Sequence, residues 1–526
     1  MGSRRRKRQR AEREDDATAG TQQVARPAKE QRIDKVEKEA VDAELKSINA
    51  LLQEEETSQK QTWQIGKRVK KLMESHPTLP RAKQLDAFFL WGTALARLAS
   101  LNEDPTLAAA AADKFQQMQE LSVQAEGSGE EEEEEEEEAD AALGPVGYSL
   151  WASSLLIVAT ETQSREVLDQ ALVKFQKAVE VDGGTTFETR FQYAKALKEG
   201  GDLVAFLESE SGGHAEREYY RKALEACGQL EEIYQVESTK EATGQSDEKH
   251  SESSDSDEED VDEDDDKVTV EDFAEAKLLE AVLQGVLEDP SSSGNFHRTL
   301  ALYQQSIALS PSSPEALMEM TNYLATRCLT KASMGPEPTA EQWTKLFEDL
   351  EMQYKKTLAD AGFDLQECHE ICHRKDTHDQ EEPEEEEIDE RVPHLLNALG
   401  KGLAAHVRSF PPSNEGGQDS KKQQKRKKKA VAGGARFIHA VEVLRAAHHF
   451  HDKLGGYHLA CLYASPAFED EEVRVSLCTA DSYGALEDEL DVAEFAAMKD
   501  KPWFQQLAQP TVQIEEAADD SEGEDA

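Results

Sequence analysis

The sequence predicts an all-α protein, a degenerate helical-repeat array interrupted by acidic, disordered inserts and ending in acidic, disordered tails. Three observations predict it. Apolar residues recur at three- and four-residue intervals through most of the chain, and the alternation expected of a strand is almost absent. In several segments a bulky residue sits between small ones at helical spacing. The clearest is GNFHRTLALYQQSIALSP, Gly294 to Pro311, where Thr299, Tyr303 and Ser306 share one face and Pro311 closes the helix. Small residues let a neighbouring helix approach, and an aromatic three or four residues away fills the gap beside them. Finally, 109 acidic residues against 59 basic ones give a formal net charge of −50, and the excess is gathered in runs that bury nothing.

Residues 1–32 are charged and nearly without bulky apolar side chains, so they cannot offset the entropy of ordering and are predicted disordered. This arm carries Arg4, Arg5, Arg6, Lys7 and Arg8, a basic cluster of the kind that serves as a nuclear-import signal or a nucleic-acid-contacting arm. A first helical array is predicted over 33–245. Its opening stripe is Val36, Ala40, Leu45, Ile48, Leu51 and Leu52, and a second helix holds Trp63, Ile65, Val69 and Leu72 before Pro77 and Pro80 stop it. Phe88, Trp91, Gly92 and Leu95 fit the first helix of a pair, with Ala111, Phe115 and Met118 in its partner. The nine glutamates Glu130 to Glu138 repel one another and are expected to lie in a solvated loop over 126–142. Beyond it, Ala171, Phe175 and Ala178 repeat the small–aromatic–small face, and the helix through Tyr193, Ala194 and Leu197 is expected to end in a left-handed turn at Gly200-Gly201.

Residues 246–267 are almost pure Ser, Asp and Glu and are read as a linker, in which Ser254 and Ser256 precede acidic residues and suit an acidophilic kinase. The second array, 268–410, opens on Phe273, Ala276, Leu279 and Leu283. It holds the Thr299–Tyr303–Ser306 helix and a later stripe through Trp343, Phe347, Leu350 and Tyr354, with an acidic insert at 379–390. A basic linker at 411–434 carries Lys425, Arg426, Lys427, Lys428 and Lys429, a second candidate nuclear address. The block 435–509 is read as a terminal repeat and cap: Tyr457, Ala460 and Tyr463 mark one helix, Val473, Leu477 and Ala480 the next, and Phe495 to Phe504 close an open stack. The tail 510–526 is acidic and offers Ser521 as a further phosphorylation candidate.

Composition restricts function. At 38% hydrophobic and 32% charged, the chain is too polar to be packed throughout. No run is expected to approach the roughly 18–20 apolar residues that a membrane span needs, and six cysteines without a disulfide framework suit a reducing compartment. Cys368 and Cys372 share one helical face and His369 and His373 an adjacent one. No second ligand pair stands nearby, so the segment is read as a helix end with two half-buried thiols. His439, His448, His449, His451 and His458 crowd together without carboxylates at ligand positions. No P-loop lysine, no GxGxxG after a strand, no GxSxG and no HExxH is read from the sequence. No catalytic, metal or cofactor residue is assigned, and a non-enzymatic chain is expected. The negative charge disfavours direct nucleic-acid binding by the folded part and points to protein partners.

The small–aromatic–small faces at Ala171–Phe175–Ala178 and Thr299–Tyr303–Ser306, with Pro311, Trp91 and Tyr457–Ala460–Tyr463, resemble tetratricopeptide-type repeats. The basic start at Arg4, the helical body and the acidic interruption Ser246–Asp266 together resemble the fungal enhancer-of-translation-termination family, which includes a nuclear regulator of a prolyl-hydroxylase-like dioxygenase. That resemblance implies a nuclear adaptor, or one shuttling to the cytoplasm. Such an adaptor would be required for correct translation termination, would act in hypoxic gene regulation through a 2-oxoglutarate dioxygenase partner, and would meet translation or ribosome factors. It implies no cofactor. The acidic tracts also suit an acidic nuclear chaperone for histones or ribosomal proteins.

Overall fold

Every regular element among the described residues is helical. The computed structural model describes residues 27–53, 58–123, 132–209, 214–243, 268–288, 293–330, 339–373, 388–410, 434–464, 470–482 and 495–507. They fall into two compact units, Met1–Val268 and Thr269–Ala526. The first holds α1 (Pro27–Gln53), α2 (Gln59–Ser75), α3 (Arg81–Asn102), α4 (Pro105–Val123), α5 (Glu132–Thr162), α6 (Arg165–Val181), α7 (Phe187–Leu207) and α8 (Glu216–Thr243). Each helix packs on the next, and α1, α3, α5 and α7 also pack on one another in succession. The odd-numbered helices therefore form one row and the even-numbered helices a second.

The turns inside the pairs arise from local chemistry. The Asp104 N–H reaches Ala99 O at 3.1 Å and the Ser164 N–H reaches Ala159 O at 3.0 Å, each across a left-handed residue, Glu103 (φ 50°) and Gln163 (φ 51°). These bonds satisfy carbonyls at the end of one helix. The same two residues then cap the next: Asp104 Oδ1 accepts from the Thr106 and Leu107 N–H groups, and Ser164 Oγ from that of Val167.

Several expectations are corrected here. Helix α1 begins at Pro27, ahead of Ile33, and proline suits a first turn because its missing N–H would have no partner there. The buried stripe is Val41, Leu45, Ile48 and Leu52, one residue on from Ala40. Trp63 lies outside the core, 46% exposed, with Lys67 Nζ 5.1 Å from its ring centre. The glutamate run is helical from Glu132 onward. Glutamate is a strong helix former, and acidic residues in a first turn meet the positive end of the helix dipole, which offsets their mutual repulsion.

Helix α5 is interrupted at Gly144 (φ 61°), just before Pro145. From Leu143 to Thr162 it is long and apolar enough to cross a membrane by length and composition, against the expectation that no run comes close. In this fold it packs on α3, α4, α6 and α7, with Tyr148, Trp151, Ala152, Leu156 and Ala159 buried. Gly200-Gly201 ends nothing, because α7 continues to Leu207. A Cβ on Gly201 would stand 2.4 Å from the Tyr220 ring, so this glycine lets α8 close on α7. The Tyr220 hydroxyl then donates to Asp202 Oδ1 at 2.8 Å.

The second unit holds α9 (Val270–Leu287), α10 (Ser293–Leu309), α11 (Pro314–Thr330), α12 (Ala340–Asp360), α13 (Glu367–His373), α14 (Arg391–Ser409), α15 (Ala435–Phe450), α16 (Gly456–Tyr463), α17 (Asp470–Ser482) and α18 (Pro502–Leu507). Helices α9, α11, α14 and α16 make one row, and α10, α12, α15 and α17 pair with them in turn. Short α13 lies on α15, and α18 on α17. One apolar cluster runs from Leu278 to Phe504. Within it, Phe437, Ala440, Val443 and Leu444 of α15 share a core with Leu395, Leu396 and Leu399 of α14. The basic stretch 411–434 falls in sequence between the two halves of one helical pair, α14 and α15. A change of composition marks an insert as readily as a boundary.

Packing on α10 couples size to hydrogen bonding. Thr299, Tyr303 and Ser306 are buried. Ser306 Oγ donates to Ala274 O at 2.8 Å, the Thr299 hydroxyl donates to Glu288 Oε1, and the Tyr303 ring lies 5.6 Å from that of Tyr323. The two small residues that admit α9 therefore also tie it down.

His406 on α14 is buried beside Phe347 (4.9 Å between ring centres), with Arg436 Nη1 at 3.3 Å from its Nδ1 and Thr344 Oγ1 at 3.3 Å from its Nε2. Burial, helped by the Arg436 charge, lowers its pKa to about 4. The unfolded chain therefore binds the extra proton between the two pKa values, and the contribution is whole above pH 6.5 and lost as pH falls towards 4. Acidification from about pH 7.5 to about pH 5 should cost the second unit about 2 kcal/mol through this residue. In urea melts at the two pH values, His406→Phe should lose correspondingly less stability than wild type; equal losses would contradict the assignment.

Candidate functional site

The row formed by α3, α5 and α7 encloses a hollow of about 720 Å³ on the first unit. Its floor is apolar, with Ala96, Leu156, Phe175 and Ala196, because small residues at the helix crossings leave space that Phe175 reaches from α6. Its walls are polar. Ser149, Ser153 and Thr160 line α5, Ser100 stands on α3 and Gln192 on α7. Charged side chains rim it: Glu103, Glu161, Glu188 and Glu199 against Arg97 and Lys195. The Glu199 carboxyl is held above the usual carboxylate range by loss of hydration on its protein side, against the pull of Lys198 and Lys195. An apolar floor with hydroxyls, amides and charges above it can hold an extended or helical polypeptide through side-chain burial and hydrogen bonds, and the acidic excess favours a cationic one. A second hollow of about 640 Å³ lies against α4, α5 and α6, where Lys174 Nζ stands 3.7 Å from the centre of the Trp151 ring.

The predicted packing residues take positions within the rows. Ala171, Phe175 and Ala178 are buried on α6, and Ala460 and Tyr463 on α16. Tyr457 is half-buried, 6.0 Å from Phe495 in an edge-on contact. Trp91 on α3 is half-buried with Lys114 Nζ 4.8 Å from its ring centre, and Pro311 is exposed beyond the end of α10. Arg4, Arg5, Arg6, Lys7, Arg8, Lys425, Arg426, Lys427, Lys428 and Lys429, and the serines Ser254, Ser256 and Ser521, lie outside the described residues.

The crowded histidines separate. His439 pairs with Glu351 at 3.3 Å, His448 Nδ1 lies 3.2 Å from Leu454 O, and burial lowers the His458 pKa to about 3. The structure assembles a different group. His369 and His373 on α13 meet Glu442 on α15, with one ligand atom from each lying within 4.8 Å of the others. His369 Nδ1 is 2.7 Å and His373 Nε2 3.4 Å from Glu442 Oε1. Cys368 is buried and its thiol is pushed up to about 12, first by desolvation. Cys372 is half-buried and donates its S–H to the Glu442 carbonyl at 3.4 Å. The reading that the chain holds no HExxH is corrected here: His369-Glu370-Ile371-Cys372-His373 has that spacing, which treating the segment as separate cysteine and histidine faces obscures. Glu442 lies too far along the chain for any local pattern to supply it.

Fold and hollow together define an all-helical array of paired helices, with an apolar-floored, polar-rimmed hollow on one row of the first unit. Neither a protein-family model nor a curated protein matches the chain.

Proposed function

We propose that the chain is a non-enzymatic protein-binding adaptor, built of degenerate tetratricopeptide-like pairs with acidic disordered inserts, whose α3–α5–α7 hollow receives a partner polypeptide. The observation that carries this reading is the hollow itself: three successive helices of one row present an apolar floor under a polar, net-acidic rim. Its occupant is a lysine- or arginine-bearing segment. The partners implied by the family resemblance are a 2-oxoglutarate dioxygenase and translation or ribosome factors, met in the nucleus, where the adaptor would support translation termination and hypoxic gene regulation. The net charge of −50 favours a second reading, an acidic chaperone that holds histones or ribosomal proteins through its Ser/Asp/Glu tracts.

Binding of a fluorescent lysine-rich peptide to the full chain separates the two. Glu188→Lys combined with Glu199→Lys should weaken binding about tenfold, about 1.4 kcal/mol, while deletion of residues 246–266 leaves affinity in place. The chaperone reading gains if the deletion abolishes binding and the double reversal does not.

A further inference from the structure

We propose that His369, His373 and Glu442 form a binding site for a zinc-class divalent transition-metal ion, with the fourth coordination position open to water. Three observations carry it. Histidines four apart on a helix project from one face, and here the two ring centres lie 4.3 Å apart. The third ligand comes from a different helix, so the tertiary fold, and not local sequence, brings the set together: α13 packs on α15, and the Cys372 thiol is anchored to the Glu442 carbonyl. The distances also fit. Four-coordinate zinc holds nitrogen and oxygen ligands at about 2.0–2.2 Å, which places neighbouring ligand atoms about 3.3–3.5 Å apart. The 3.4 Å contact from His373 to Glu442 Oε1 has that spacing, whereas the 2.7 Å contact from His369 is a hydrogen bond that must lengthen for an ion to enter. The imidazoles are 66% and 62% exposed and can make the small rotation required, whereas Glu442 is held at 12%.

The donor set selects the ion. Two imidazoles and one carboxylate suit zinc, cobalt, nickel or copper, whereas calcium and magnesium require mainly oxygen ligands. Neither cysteine is placed as the fourth ligand, since Cys368 is buried and the Cys372 S–H is committed to the Glu442 backbone carbonyl. Three protein ligands and one solvent position is the arrangement of zinc sites that handle water or an exchangeable ligand, in contrast to closed structural sites.

The test is a cobalt titration of the full chain after removal of metal by chelator. The expected result is one saturating equivalent with the intense visible absorption of a four-coordinate ion, displaced by zinc and unaffected by excess magnesium. His369→Ala and His373→Ala should each lose the band and weaken binding by more than about a hundredfold, beyond what is typical for loss of a residue that only supports a ligand. Both side chains are largely exposed, so these variants should melt like wild type. Glu442→Gln should behave likewise, and Glu370→Gln, which alters a neighbouring carboxylate outside the group, should retain the band. Absence of a saturable band in the wild-type chain, or its persistence in the double variant His369→Ala/His373→Ala, overturns the proposal and leaves an ion-paired triad without metal. The hollow on the first unit takes no part in this measurement, so either proposal can fail alone.

Discussion

Gly455→Ala is expected to disrupt the last helical pair of the second unit at a cost of about 2–5 kcal/mol, combining left-handed strain with overpacking. Gly455 joins α15 to α16 at φ 78°, and a Cβ there would stand 2.2 Å from Leu444 O. That oxygen is backbone, inside α15, and has no rotamer to escape into. The Gly455 N–H also donates to Asn397 Oδ1 at 3.0 Å, tying the corner to α14. Any shift that relieves the clash therefore breaks this bond. Gly362→Ala supplies the comparison: its φ is 80°, yet nothing lies within 4 Å of its Cβ position, so only the left-handed term of about 1–2 kcal/mol applies. Hydrogen exchange should show lost protection in α16 and α17 for Gly455→Ala alone. Equal destabilisation by the two variants would refute the steric account.

Glu288→Leu should cost about 3–5 kcal/mol, the range for removing one member of a buried ionic group. The Glu288 side chain is 1% exposed. It accepts the Thr299 hydroxyl at Oε1 and the Tyr323 hydroxyl at Oε2 (2.9 Å), with Arg327 Nη2 at 3.9 Å. Burial, with the Glu288 charge adding to it, holds the Tyr323 phenol well above its ordinary pKa, so it stays a donor. Leucine would remove the acceptor of two hydroxyls and the carboxylate nearest a buried guanidinium. In urea melts, Glu288→Leu/Arg327→Leu should recover part of the loss, because no buried charge then lacks its counterpart. If the second substitution only adds to the damage, the pair is not coupled as described.

The fold was legible where the signal was local. Thr299, Tyr303 and Ser306 fall three and four residues apart, and helical spacing alone puts them on one buried face. Glycine was not legible in the same way. A pair such as Gly200-Gly201 reads as a turn, whereas its actual role depends on the Tyr220 ring of another helix. The glutamate run misled for a different reason: composition gives both the repulsion and the helix propensity, and their balance is settled by where the helix begins. The hollow requires four helices at once and Glu442 stands far from His369 in sequence, so neither can appear in any window of residues. Interaction partners of the Lys277–Glu280 kind, three residues apart and buried at 2.9 Å, are the sort that a window does contain.

Helices α14 and α15 lie against each other although the chain runs from Ser409 to Ala435 between them. They share an interface through Leu399 and Leu444. Closing a connection costs only about 0.6 kcal/mol for each doubling of its length. An architecture of neighbours is thus tolerant of insertion at its corners, and stretches such as Lys421 to Lys429 can diverge in length and charge without retuning the helices they separate.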